Sequence, residues 1–412
     1  MSISQQDRQR FRELARRYQQ VAQLDVHRRT IEDWQRLNGL KPARPMVMID
    51  QIPWHEMNVD DELTGRCEDP FLQHLECGML TALYKWKHFP ADMAFYPFLQ
   101  VPKVYSSTDI GVESRGSAED ALHSGAQTHL YMDQLADDDA LARLKNVTIR
   151  FDAEATANRE KLIGDLVGDI LPIKMSGASI WAAIWDRIVF WRGATPVLYD
   201  LADRPEFLHR LMRRLMEIEM DALDQLEQQS LLEPEPGTIH CVGAYCDELP
   251  APGFDPAHVR AKDCWAAGAA QIFSEVSPAM HDEFEIAYLK PYFERFGLVN
   301  YGCCEPLHRK IDIIRKIRNV RMISVSPWAQ VEMAAESMGR DFVMARKNNP
   351  SFVAMDAFEG RLVVDEVKAT LRATAASGTP CAFILKDITT VRNEPQRLTR
   401  WYETVKATID NY

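Results

Sequence analysis

The sequence lacks the glycine-rich fingerprints that cradle phosphates: neither GxGxxG nor GxxxxGK[ST] occurs anywhere in it. That absence removes the main support for a dinucleotide-binding or P-loop enzyme. No paired CxxC framework is present, so neither a zinc ribbon nor a thioredoxin-type redox motif is expected. No apolar run approaches the ~18 residues a membrane-spanning helix needs. The opening MSISQQDRQRFRELARRYQQ is charged early and holds no apolar core of a signal peptide. We therefore expect a cytoplasmic protein that neither enters nor crosses a membrane. Positive charge is also in deficit: Lys and Arg total 48 against 60 Asp and Glu, a formal net charge of −12. Binding to nucleic acid needs clustered cations to displace counterions, so no nucleic-acid partner is expected. Internal repeats and low-complexity tracts are absent.

What is there is ordinary globular material. Of 412 residues, 46% are hydrophobic and 26% charged, enough apolar surface for a large core. The eight cysteines are scattered through a long chain, which in a reducing compartment makes them buried hydrophobes, nucleophiles or metal ligands rather than disulfide partners.

Residues 1–40 show apolar positions at helical spacing (Phe11, Leu14, Ala15, Tyr18) and read as an N-terminal helical extension. Over 41–412, short apolar runs alternate with amphipathic stretches. Strands are expected at 46–49, 95–105, 171–177, 238–245, 298–304, 321–326, 341–346 and 381–387, and helices at 205–232, 281–296, 308–317, 330–338, 364–376 and 395–409. Repeated strand–helix order argues for an α/β fold with parallel strands and helical crossovers. Eight such units favour a TIM-type (β/α)8 barrel over an open doubly wound sheet, which places chemistry at the carboxyl ends of the strands.

Polar residues at those ends are the candidates. Asp50 ends the first run, Lys174 lies inside the third, and His240 lies on the fourth beside Cys241. Trp328 follows the sixth run, Arg346 ends the seventh, and Lys386 and Asp387 end the last. An inward lysine needs a counter-charge or an anionic ligand, and the planar fork of Arg346 suits a carboxylate or phosphate. Trp181, Trp185 and Trp191 read as packing.

The densest stretch is LVNYGCCEPLH, 298–308. Strand alternation puts Tyr301, Cys303 and Glu305 on one face. Zinc accepts thiolate, imidazole and carboxylate, so Cys303, Glu305 and His308 form a ligand set from one strand end, or share it with Glu275 or His240 from neighbouring units. The competing reading is a buried thiol with His308 at a helix start.

RPMVMIDQIPWHE, the block from LVNYGCCEPLH to MARKNNP, and FILKDITTVRNEPQRLTRWYETVKATI together resemble the uroporphyrinogen decarboxylase superfamily, best over 287–409. The resemblance implies a TIM-type barrel and one of two chemistries: decarboxylation of a tetrapyrrole without metal, or methyl transfer involving a corrinoid protein or a thiol, with zinc. The decarboxylases carry an RxxGR-like loop after the first strand, where this sequence has DQIPWHEMN without arginine. The thiol-directed methyltransferases carry HxC where this sequence has Tyr301 and Cys303, and a later cysteine that LKDITT lacks. The departures point to the corrinoid-dependent methyltransferases. On that reading, Asp50, Glu305 and Asp387 are catalytic, and Lys174, Tyr301, Trp328, Arg346 and Lys386 bind substrate. Cys303, Glu305, His308 and His240 hold zinc. The partners are a small methyl donor and a corrinoid protein, with a homodimer as the assembly. The alternatives are a decarboxylase-like lyase and a non-enzymatic corrinoid or tetrapyrrole binder, although the DxHxxG loop of corrinoid carriers is missing.

Overall fold

The computed structural model describes residues 3–113, 116–120 and 127–412. Two helices open the chain, Gln5–Ala22 and Asp25–Asn38. The Ser4 hydroxyl caps the first by accepting from the Asp7 amide at 3.0 Å. Helix Asp25–Asn38 is not a detached appendage. Its Trp34 is fully buried and donates Nε1–H to the Asp92 carbonyl at 2.8 Å, and the Asn38 amide donates to the carbonyls of Gly243 and Tyr245.

At the centre lies a seven-stranded, all-parallel sheet. Its order is Met46–Ile49, Cys381–Leu385, Val343–Asn348, Val320–Val325, Leu298–Tyr301, Trp265–Gly268 and Ile180–Ala182. Parallel strands joined by helices are covered on both faces, which is why CAFIL and VMA read as unbroken apolar runs. Side chains alternate between two cores. Met46, Met48, Ala382, Ile384, Val343, Ala345, Met322, Leu298 and Trp265 form one with Trp34, Ile239 and Val242. Val47, Ile49, Phe383, Leu385, Met344, Ile323 and Val299 face the other way, into the core shared with the flanking helices. Among those helices, Gly360–Ser377 packs between Val331–Met338 and Gln396–Asp410.

The α/β class and the parallel sheet are as expected. Several elements differ. Leu99–Pro102 and Ile173–Ser176 form a separate parallel pair outside the main ladder. The expected strand at 238–245 is a tight antiparallel turn pairing Thr238–Ile239 with Val242–Gly243. Two ladder strands were not anticipated. WAAG at 265–268 has two alanines and a glycine, residues of low strand propensity, and burial rather than propensity selects it. Gly268 has no room for a side chain, since a Cβ there would stand 2.4 Å from the Ala182 carbonyl oxygen. Ile180–Ala182 is the other, and the helix that follows it begins at Ile184. The expected helix at 308–317 is a 3-10 turn, Leu307–Arg309, followed by the short helix Ile311–Ile314. Among the described residues, no helix is long and apolar enough to cross a membrane.

Candidate functional site

Polar groups gather where the parallel strands end. After Leu298–Tyr301 the chain turns at Gly302, whose φ of +93° is in the glycine-favouring region; a Cβ there would meet Leu307 at 2.4 Å. The turn carries Cys303 toward Lys386, which follows the Cys381–Leu385 strand. The Lys386 Nζ lies 3.2 Å from the Cys303 Sγ, 2.7 Å from an Asp387 carboxylate oxygen and 3.4 Å from the Gln51 amide oxygen. Cys304 stands beside them, its Sγ 3.4 Å from that of Cys303 and 2.9 Å from an Asp387 carboxylate oxygen, so that its single proton is shared between the two acceptors.

This arrangement decides which sulfur carries charge. Cys303 faces an ammonium, and a hydrogen bond from the Cys304 thiol, with His240 and Lys386, holds it well below the ordinary thiol range despite burial. Cys304 faces a thiolate and a carboxylate and stays protonated, pushed far up by both. Burial pulls Lys386 down, but Cys303 and Asp387 more than offset it and hold the ammonium charged.

A second lysine completes the group. Alternation along Val343–Asn348 places Lys347 on the face of Val343 and Ala345. It is buried, and among the described residues its Nζ donates to the His240 carbonyl, at 3.5 Å. Among the described residues no carboxylate pairs with it, and burial lowers its pKa. The imidazole of His240 stacks on the Trp181 ring, centroids 4.0 Å apart and planes at 20°. Burial keeps that imidazole neutral, and its Nε2 has no hydrogen-bond partner among the described residues. Trp181, expected as packing, is 41% exposed. The interior hydroxyl of Ser324 is likewise buried without a partner. Backbone strain concentrates here: Gln51, His240, Cys241 and Asp387 all adopt positive φ, between 43° and 69°. Each such non-glycine position costs roughly 1–3 kcal/mol and persists only where its surroundings impose it.

Of the residues singled out from sequence, the structure brings together Cys303, Lys386, Asp387 and His240. Asp50 lies at the edge of the group, against Cys241 and Lys85. The others stand apart. Glu305 turns inward, fully buried, and accepts from the Cys303 and Ala270 amides at 2.8 and 3.3 Å, shaping the cysteine turn. Burial lifts it to about 7. Tyr301 is fully buried on the helix-facing side, bound to His281 at 2.7 Å and to Glu285. Arg346 also faces the helices, donating to the Ser326 carbonyl at 2.5 Å and pairing with Glu366 at 3.3 Å. Lys174 pairs with Glu235 on the separate strand pair. His308 sits on its 3-10 turn with Nδ1 unpartnered, and Trp328 is 69% exposed on the loop after Val320–Val325.

The residues do not fit the expected zinc ion. Among the described residues, no three His, Cys, Asp or Glu side chains are placed to hold a metal. Where the sulfurs, Asp387 and Gln51 converge, the ammonium of Lys386 already stands, so no step is derived through a metal here. A cleft of about 620 Å³ near the N-terminal helix, lined by Arg10, Arg17, Asp60 and Glu76 among others, shares no lining residue with this group.

Compared with known proteins, the chain matches no family model, and no curated protein matches it.

Proposed function

We propose that this chain is a methyltransferase that takes a methyl group from a small methoxylated or methylated compound and hands it to a partner corrinoid protein. Within the same proposal the strands belong to a (β/α)8 barrel whose mouth is the polar group around Cys303. The observation that carries the reading is the buried lysine pair, Lys347 and Lys386, at the carboxyl ends of parallel strands beside an ionised thiol. The resemblance of the sequence supplies the reaction class.

When a methyl group leaves an ether oxygen, that oxygen keeps the bonding electron pair and becomes anionic. It needs a proton or a cation at that moment. Lys347 suits the proton donor: it is buried, lacks a carboxylate partner, and has a lowered pKa. Lys386 stays charged and holds Cys303 ionised. The Trp181–His240 stack offers a flat wall for an aromatic donor.

The test incubates purified protein with a panel of methoxylated arenes and reduced cobalamin, reading demethylated product by mass spectrometry. Product from the wild type, reduced about 100-fold or more in Lys347→Met, is the expected result, in line with the loss of a general acid. The same lysine pair also suits a carboxylated substrate. Failure of every donor, together with carbon dioxide release from a carboxylated tetrapyrrole, would replace this reading with the lyase.

A further inference from the structure

We propose that Cys303 is a peroxide-sensitive modification site with Cys304 as its resolving thiol, so that oxidation closes a disulfide between these neighbouring residues. The inference rests on the placement of Lys386 and Asp387 against the two adjacent sulfurs, not on which group is transferred there.

Five placements carry it. The two sulfurs are 3.4 Å apart, within reach of a bond after a small rotation. Lys386 stands 3.2 Å from the Cys303 sulfur, which it keeps as the nucleophile. Asp387 accepts from the Cys304 thiol at 2.9 Å and is placed to take its proton. Cys303 and Cys304 lie outside the regular strand, after Gly302, so no ladder hydrogen bond must break for the turn to adjust. Cys304 and Asp387 are partly open to solvent, which gives a molecule the size of hydrogen peroxide a way in.

The chemistry balances. The Cys303 thiolate attacks one peroxide oxygen, the O–O bond breaks, and the departing oxygen leaves as an alcohol or water after taking a proton, for which Lys386 is the nearest donor. Cys303 is then a sulfenic acid. Cys304 gives its proton to Asp387 and attacks that sulfur. The S–O bond breaks, the departing hydroxyl takes the proton held by Asp387 and leaves as water, and the S–S bond forms. Two electrons pass from the two thiols to the peroxide. Adjacent Cα atoms are about 3.8 Å apart across a trans peptide, whereas unstrained disulfides span roughly 4.4–6.8 Å. The product is therefore strained and readily reduced, as a reversible site requires.

The experiment exposes the reduced full-length protein to one equivalent of hydrogen peroxide at pH 6, blocks free thiols with N-ethylmaleimide, and maps peptides by mass. The expected result is loss of two hydrogens on the peptide holding Cys303 and Cys304, reversed by dithiothreitol and formed about tenfold or more faster than oxidation of the exposed Cys77. In Cys304→Ser, Cys303 should instead gain one oxygen and react with dimedone. Full maleimide labelling of both residues, oxidation directed first to Cys77, or a disulfide joining two chains would each overturn the proposal. Because the readout is mass rather than turnover, a protein that oxidises in this way but transfers no methyl group sinks only the methyltransferase reading.

Discussion

The Lys386 ammonium lies 3.2 Å from the Cys303 sulfur, and the Asp387 carboxylate that pairs with the same ammonium accepts from Cys304. The contact between the two sulfurs, with His240 and Lys386 on one side and Asp387 on the other, lowers Cys303 and raises Cys304. Their sequence positions are interchangeable; their partners are not.

Removing that cation should raise the pH at which Cys303 becomes reactive. In Lys386→Met the sulfur keeps its contact with Cys304 and the neutral His240, and Lys347 stays nearby, so the loss is partial. The midpoint of iodoacetamide alkylation against pH should rise by about 1–3 pH units, the usual effect of losing one opposite charge at contact distance. An unchanged midpoint would show that Lys386 does not hold the thiolate.

Glu305 should make stability fall as pH rises. Its folded-state value, about 7, lies above its ordinary value of 4.5 because burial disfavours the charge. A carboxyl raised on folding is stabilising in its neutral form below the ordinary value, and that contribution is lost as pH climbs through the folded one. Wild-type Tm should therefore drop between pH 5 and pH 8. Glu305→Gln, which keeps an acceptor oxygen for the Cys303 amide, should show a flatter profile over that interval by differential scanning calorimetry.

Tyr301 serves the fold rather than the polar group around Cys303. Tyr301→Phe leaves Glu285 and His281 buried with one partner fewer, which costs about 1–3 kcal/mol. Urea denaturation should show that loss, while the alkylation midpoint of Cys303 stays where it is. A shifted midpoint would instead tie the Tyr301 network to the thiolate.

Trp34 and Gly243 should be coupled. A Cβ at Gly243 would stand 2.5 Å from the Trp34 ring, so Gly243→Ala should cost about 1–3 kcal/mol by overpacking. Trp34→Ala should cost about 3–5 kcal/mol by opening a cavity. In the double variant the new methyl enters that cavity, and the loss measured by denaturation should be smaller than the sum of the two.

The sequence by itself determined the α/β class and the carboxyl-terminal strands and helices, and it singled out 298–308, because these depend on local periodicity and on ligand-capable side chains in a short span. Long runs such as CAFIL and amphipathic helices such as Gln396–Asp410 carry that information in every residue. The strands WAAG and IWA carry almost none, since alanine and glycine become strand residues only when neighbouring strands leave no room for larger ones. Alternation failed for Tyr301, Cys303 and Glu305, which were expected on one face. Gly302 breaks the strand after Tyr301, so Tyr301 stays against the helices, Cys303 swings to Lys386 and Glu305 folds back to cap the turn. Only the tertiary structure decided that a lysine more than eighty residues away stands where a metal was expected, because charge placement depends on which strand ends meet in space.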